Sequence, residues 1–308
     1  MSIYEGPSAD PELLEVTQRR PDNVIAALLR TLRAARGAGY IRRDIELPTL
    51  ADRICQSMLR VGLDTIRDKA AGDAVAVLQC RVLLHGLAAT APTDGSLDNS
   101  NAFAAARDVI GTWTDDEDAE PADRAAHIRA IARAEFGRRG YEMTTVRDIA
   151  AATGLATGTV YRTIGSKDAL LTSIMQSFVH KVGAGWINVL ASKSTPVEKL
   201  DALSWVNINA LERFPDEFRI QLAWMRQSPP AVYPGWSLAT RVRQMKSLLT
   251  EGVRSGEIVV DTPSVEMLAR CIIGEQWLPE NILRDLGKRQ GLIHARDTIL
   301  RGVAHRDR

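Results

Sequence analysis

Between Thr144 and Leu171 the chain reads TTVRDIAAATGLATGTVYRTIGSKDALL. The side chains here that could do chemistry are hydroxyls, a phenol and cations: Thr145, Arg147, Thr157, Thr159, Tyr161, Arg162 and Lys167. Their shared capacity is hydrogen bonding to acceptors. The Thr157 and Thr159 hydroxyls can reach phosphates or base edges, Tyr161 a phosphate or a thymine methyl, and Arg162 a phosphate or guanine. Gly158 lets a backbone come close to a duplex. Lys167 follows Ser166 at a helix start, where the helix dipole and the ammonium both favour a phosphate.

Such residues need a rigid mount, and the spacing predicts one. Thr145 with Asp148 has the pattern of a capping box opening a short helix at Val146. Gly154 supplies a turn position with φ > 0. Thr157 is expected to cap a second short helix that runs to Ile164. Ile149, Ala150, Leu155, Val160 and Ile164 form the seam between the two, with Gly158, Thr159, Tyr161 and Arg162 facing out. This is the layout of a helix-turn-helix, which offers one helix end to the major groove.

The other signals narrow the class. The chain has 308 residues and a net charge of +1, so nucleic-acid binding requires a local patch. Arg124, Arg129, Arg133, Arg138, Arg139 and Arg147 supply a candidate. Cys55, Cys80 and Cys271 are widely spaced and form no C-x-x-C, which predicts no zinc site, no disulfide framework and a reducing cytoplasm. The five His are scattered without metal-ligand spacing, and no cofactor is implied. The acidic N-terminus is not a signal peptide, and no apolar run approaches the ~20 residues of a membrane span. Nucleophile-elbow, zinc-protease, P-loop and dinucleotide fingerprints are absent, which argues against an enzyme.

Periodicity predicts an all-α chain. Helices are expected from Pro21 to Arg36, from Pro48, over 71–89, and then at 122–139, 146–152, 157–163, 167–191, 197–212, 215–227, 236–254, 263–284 and 289–304. Residues 91–121, with Pro92-Thr93-Asp94-Gly95-Ser96 and the run Asp115-Asp116-Glu117-Asp118, are expected to be a linker with one short helix around Asn101 to Ile110. Two stretches also look alike. Gly39-Tyr40-Ile41 matches Gly256-Glu257-Ile258, Leu50-Ala51 and Ile54 match Leu268-Ala269 and Ile272, and His85-Gly86-Leu87-Ala88 resembles Arg301-Gly302-Val303-Ala304. Residues 21–90 thus read as a copy of 236–304.

Residues 121–172 resemble the DNA-binding domain of the tetracycline-repressor (TetR) family. The likeness runs through Ile128, Ala132, Phe136, Gly140-Tyr141, Thr144-Thr145-Val146, Ile149-Ala150, Gly154-Leu155, Gly158-Thr159-Val160-Tyr161 and Ser166-Lys167-Asp168-Ala169-Leu170. It departs at Thr163-Ile164-Gly165, where the family has an aromatic pair. The resemblance implies a DNA-binding domain at 122–172 and a helical ligand-binding and dimerisation domain at 173–308. It further implies double-stranded DNA and a small, apolar effector as partners, and a homodimer built on 263–284 and 289–304. The effector pocket would draw on Trp205, Trp224, Met225, Tyr233 and Trp236. The N-terminal 1–90 departs from the family; it reads as a partial second copy, with 48–90 expected to pack on 263–304 of the same chain. An ordinary homodimer with a flanking module is the rival arrangement. A helical adaptor that does not bind DNA is the alternative function, and an enzyme the third.

Overall fold

A computed structural model describes residues 22–68, 72–113, 124–225, 238–262 and 264–305, with the side chains of 59–68 and 222–225 outside that description. Among these residues the regular structure is helical, joined by two isolated antiparallel bridges. Helix α1 (Asp22–Gly37) runs into Gly39 at φ 77, and α2 (Leu47–Asp68) and α3 (Gly72–His85) follow. Leu32, Ile41, Leu47, Leu50 and Ala51 close a small core between them, together with Val303 from the chain's other end.

The stretch expected to be a linker holds one helix, α4 (Asp94–Asp98), ahead of the expected short helix, α5 (Asn101–Gly111), capped by the Thr93 and Ser100 hydroxyls. Helix α5 buries Ala102, Phe103 and Ala106 and is pinned at its start, where Ala102 N–H donates to Ser194 Oγ at 2.8 Å. It is part of the core because three apolar side chains on one face find long-range partners, which local turn chemistry does not reveal. The acidic run lies outside the described residues.

Helices α6 (Arg124–Arg139), α7 (Val146–Thr153) and α8 (Thr157–Ile164) form the head, and α9 (Lys167–Ala191) leads out of it. Helix α10 (Pro196–Arg213) is the axis of the large domain. A capping box of Thr195 and Glu198 starts it, and nearly every residue from Pro196 to Leu211 is buried. Gly185 lets α9 approach it, since a Cβ there would stand 2.8 Å from Val206 Cγ1. Helices α11 (Pro215–Met225), α12 (Leu238–Ser255), α13 (Val265–Glu275) and α14 (Glu280–Ala295) complete the domain, and a π-helical turn covers Arg296–Arg301. The expected helix over 263–284 ends at Glu275, and Pro279 takes the N-cap position of the next helix, α14. Gly287 (φ 73, ψ 169) breaks α14 in turn.

The chain's two ends meet at Gly86 and Gly302. Leu87 N–H donates to Ile299 O at 2.9 Å, and Val303 N–H to Leu83 O at 3.0 Å. Ala88 N–H donates to Leu300 O at 3.0 Å, and Ala304 N–H to Leu84 O at 2.9 Å. Further out, Val259 N–H donates to Leu87 O at 2.9 Å and Arg42 N–H to Val303 O at 3.0 Å; Ala89 N–H donates to Glu257 O and His305 N–H to Tyr40 O. Each of these bonds has a counterpart in which the early and late segments exchange roles. The backbones touch so closely that a Cβ on Gly86 would stand 2.2 Å from Leu300 O, and one on Gly302 2.4 Å from His85 C.

A second long-range tie is Arg296, which is fully buried. Its Nε and Nη2 donate to the two carboxylate oxygens of Asp201 on α10 at 2.8 Å, Nη2 also to Asp98 at 2.7 Å, and Nη1 to Asp94 at 2.9 Å. It thus fastens α4 and α10 to the chain's end. Hydrogen bonds from Arg289 first, and then from Arg296, hold the Asp98 carboxyl down at about 2.

Unfolding measurements read both ties. Gly256, at φ 76, has nothing within 4 Å of its Cβ position. Gly256→Ala should therefore cost ~1 kcal/mol, and Gly302→Ala ~3 kcal/mol or more because clash adds to backbone strain. Equal shifts in their urea midpoints would show that the crossing tolerates side chains. Arg296→Ala should cost ~3–5 kcal/mol by leaving Asp201 buried without its cation. Asp98 is ionised in the fold down to about 2 and in the unfolded chain only down to ~4. Its contribution is present above ~4 and lost as pH falls towards about 2, so Asp98→Asn should flatten the acid limb of stability measured in that window.

Candidate nucleic-acid interface

The head is assembled from α6 upward. Ile128, Ala132 and Phe136 form its buried stripe, and the Phe136 ring meets the Tyr141 ring edge-on at 5.2 Å. Thr144 is fully buried and donates its hydroxyl to Gly140 O at 2.8 Å, fixing the turn before α7. The Thr145 hydroxyl then accepts from Asp148 N–H at 3.2 Å, and Asp148 accepts from Thr145 N–H at 2.7 Å. The Thr145 hydroxyl proton also goes to Asp148, at 2.7 Å. Thr145 is therefore committed to the cap and has no donor left for a phosphate. These bonds hold the Asp148 carboxyl below its ordinary range.

Gly154 closes α7 in the left-handed conformation (φ 69, ψ 17). The chain is extended at Ala156, which is the N-cap of α8 and makes no side-chain cap. Thr157, expected to cap this helix, is instead its first residue, because the turn from Gly154 spends its extended step one position earlier. Val160 is fully buried, with Leu155 and Ile164 packed at the edge of the same core. Gly158 and Arg162 face outward, Tyr161 is 49% exposed, and Thr159 is half-buried, its hydroxyl accepting from Arg162 Nη2 at 3.3 Å. Gly158 has nothing within 4 Å of its Cβ position. A glycine inside a helix weakens it, and no contact among the described residues calls for one at this position. The open space above it suits an external body that must come close.

The Ser166 hydroxyl caps α9 by accepting from Ala169 N–H at 3.0 Å. The Lys167 ammonium lies over the Tyr141 ring, 4.1 Å from its centre, and the Tyr141 hydroxyl donates to Asp168. Burial first, then the Asp168 carboxylate, raises the Tyr141 phenol above its ordinary value, so it stays protonated. Tyr141 thus aims Lys167. Its place beside Gly140 could have suggested a turn, though not this role.

The basic patch is smaller than the sequence suggests. Arg138 pairs with Glu135 at 2.7 Å, Arg139 lies 3.4 Å from Asp148, and Arg133 lies 3.4 Å from Glu217. Those cations are answered inside the molecule. Arg147 and Arg162 are exposed and, with Lys167, sit on the head.

The pocket expectations fare unevenly. Trp205 on α10 stacks on Phe103 of α5, ring centres 5.6 Å apart. Trp224 and Met225 lie on α11 with side chains outside the description, and Tyr233 and Trp236 lie outside the described residues. The same domain holds Asn207, fully buried, whose amide oxygen accepts from Trp186 Nε1 at 3.2 Å while its Nδ2 meets no acceptor among the described residues. The Arg241 guanidinium packs over the same Trp186 ring, 4.7 Å from its centre.

Residues 128–174 match the family described as bacterial regulatory proteins, tetR family. Over 166 residues the chain is 30% identical to the HTH-type transcriptional repressor KstR2 of Mycolicibacterium smegmatis, covering 53% of this chain and 80% of that protein. It is 26% identical over 136 residues to the HTH-type transcriptional regulator BetI of Rhizobium meliloti, covering 44% of this chain and 66% of that protein. The solved ketosteroid transcriptional regulator KstR2 of Mycobacterium tuberculosis shares the fold at a TM-score of 0.50 and 23% identity, covering 59% of this chain and 97% of its own.

Gly158→Ala separates the two demands on α8. Thermal melting should show a gain of ~0.5 kcal/mol from the better helix former, while DNA affinity in a fluorescence-anisotropy titration falls. Unchanged or tighter binding by the variant would mean that the duplex does not need the open space above the glycine.

Proposed function

The chain belongs to the TetR family of bacterial regulatory proteins, and from that premise we propose how its parts divide the work of a DNA-binding transcriptional regulator. It is a regulator and not an enzyme. In our reading α8 enters the major groove, with Gly158, Thr159, Tyr161 and Arg162 at the bases and Thr157, Arg147 and Lys167 at the phosphates. The observation that carries this is the exposed edge of α8, with an otherwise unneeded glycine at its centre. The regulator acts as a repressor on a palindromic operator in the cytoplasm. A small, apolar effector, held among α9 to α12, releases it by binding more tightly to a form whose heads no longer match the operator. No described helix is long and apolar enough to cross a membrane.

The N-terminal 1–90 is, in this reading, a partial duplicate of the dimerisation helices that pairs with 236–304 of its own chain. The exchanged hydrogen bonds around Gly86 and Gly302 support it. So do two ion pairs. Arg42 meets Asp297 at 3.0 Å, and Arg81, the counterpart of Asp297, meets Asp261, two residues beyond the counterpart of Arg42. In both pairs the early segment supplies the cation and the late segment the carboxylate. Two late segments paired with each other would set Asp297 against Asp261, so charge favours early with late over late with late.

Gel shifts with DNA from around the chain's own gene test the regulator, with a retarded band that weakens steeply as salt rises. Lys167→Ala should lower affinity and reduce the salt slope by ~1 without changing the melting temperature. No salt-sensitive band across the neighbouring promoters would overturn the reading. The pairing is tested at the bridge of Ile41 with Ala304. An Ile41→Cys/Ala304→Cys protein should close a disulfide within one chain, seen as a faster single-chain band on a non-reducing gel. A cross-link found solely between chains would sink the intrachain arrangement.

A further inference from the structure

Two polar groups in the large domain meet on one indole, and both lack an oxygen acceptor. Asn207 on α10 is fully buried, and its Oδ1 accepts from Trp186 Nε1 at 3.2 Å. That bond fixes which way the amide faces, and Nδ2 is left without an acceptor among the described residues. A buried donor with no partner costs ~1–3 kcal/mol, so a site of this kind calls for an explanation.

The second group is the Arg241 guanidinium of α12, which lies over the same Trp186 ring, 4.7 Å from its centre. Its Nη1 donates to Gln244 Oε1 at 3.2 Å, which is a neutral acceptor. Burial pulls Arg241 down to about 10, and no carboxylate among the described residues offsets that loss. Beside it Gly183 of α9 leaves room. A Cβ there would stand 3.4 Å from Arg241 Nη2, its one contact outside α9 within 4 Å among the described residues. Trp186 shares its core with Val182, Val206, Val242 and Met245, so the other surroundings are apolar.

The elements that meet here carry almost no acid. No Asp or Glu occurs from 169 to 197, which spans nearly all of α9, or from 218 to 250, which spans most of α11 and α12. The second stretch carries Arg219, Arg226, Arg241, Arg243 and Lys246. The whole chain has 38 acids against 39 bases, so these runs set a local excess of positive charge. The acids of α10 are engaged elsewhere: Glu198 in its cap, Asp201 with Arg296 and Glu212 with Lys288. We propose that Arg241 selects an apolar carboxylate as the small molecule held by this domain.

This rests on the placement of the effector among α9 to α12 and gives that effector a chemical class. A carboxylate matches the planar fork of a guanidinium and supplies the negative charge that α9 and α12 lack. A neutral ligand would desolvate Arg241 further with nothing in return, and a cationic one would be repelled.

The full-length protein tests this with decanoate and its neutral counterpart decanamide, titrated by tryptophan fluorescence. Wild type should bind decanoate about tenfold or more tightly than decanamide, the margin of one charge-assisted contact. Arg241→Gln should shrink that preference to about twofold or less, with unchanged helical circular dichroism, and Arg241→Lys should keep most of it. In the anisotropy titration decanoate should weaken DNA binding by the wild type. Equal wild-type affinity for the two probes overturns the proposal whether or not the glutamine variant folds. So does a preference that survives Arg241→Gln, or failure to bind any alkanoate of about six to fourteen carbons. DNA release by decanamide as strong as by decanoate overturns the carboxylate selection and leaves the effector reading standing. Arg241-dependent decanoate binding that leaves DNA affinity untouched upholds the site and overturns the effector reading.

Discussion

Two backbones can touch only where neither carries a Cβ, and the contact of Gly86 with Gly302 depends on that. Both residues sit at positive φ, 70 and 78. The extended steps after them each bond to the helix end before the other glycine. The N-terminal side of the molecule is held by this crossing together with the buried Arg53, which bonds to Glu275 and the Trp277 carbonyl. The crossing sets Val303 into the core of α1 and α2, sets Ile258 beside Ala88, and brings Arg42 to Asp297. Because the helices meet end to end at so small a separation, sliding by one residue would drive a side chain into a carbonyl. The register is therefore held by sterics more than by any apolar match.

The head is held differently. Its rigidity comes from short-range bonds: the Thr145–Asp148 box, the Thr144 hydroxyl on Gly140 O, the left-handed Gly154 and the Ser166 cap. It joins the large domain through α9, whose buried face runs from Leu170 to Val189, and through α6, which packs on α11. Helix α9 is gripped on one side by α10 and on another by α5, a helix contributed from upstream of the head. Where α6 packs on α11, the head touches the large domain directly, and Arg133 reaches Glu217.

What is legible in the sequence follows the range of the forces involved. The head is legible because its signals are local: a Thr three residues before an Asp, a Gly where φ must be positive, an apolar seam at helical spacing. Even there Thr157 passes for a cap, since a hydroxyl at a helix start fits two adjacent positions and only the turn's backbone chooses between them. The glycine pattern points to equivalent turns at both ends, but not to which turns meet. Helix α5 is visible as a helix and invisible as core, because its partners on α9 and α10 lie far along the chain. The basic patch looks larger in sequence for the same reason, since Glu217, which answers Arg133, is 84 residues away. Pro279 is readable as a break and is outweighed by an apolar period that continues on both sides of it.

The crossing also imposes an order on synthesis. Leu83, Leu87 and Ala88 leave the ribosome well before their partners Ile299, Leu300 and Val303. At ~5–20 residues per second the first three helices wait on the order of ten seconds or more for the segments that complete them. During that interval the small core of α1 and α2 lacks Val303. The nascent chain therefore passes through a stage in which apolar surface of the early segment still awaits the residues that cover it in the finished fold.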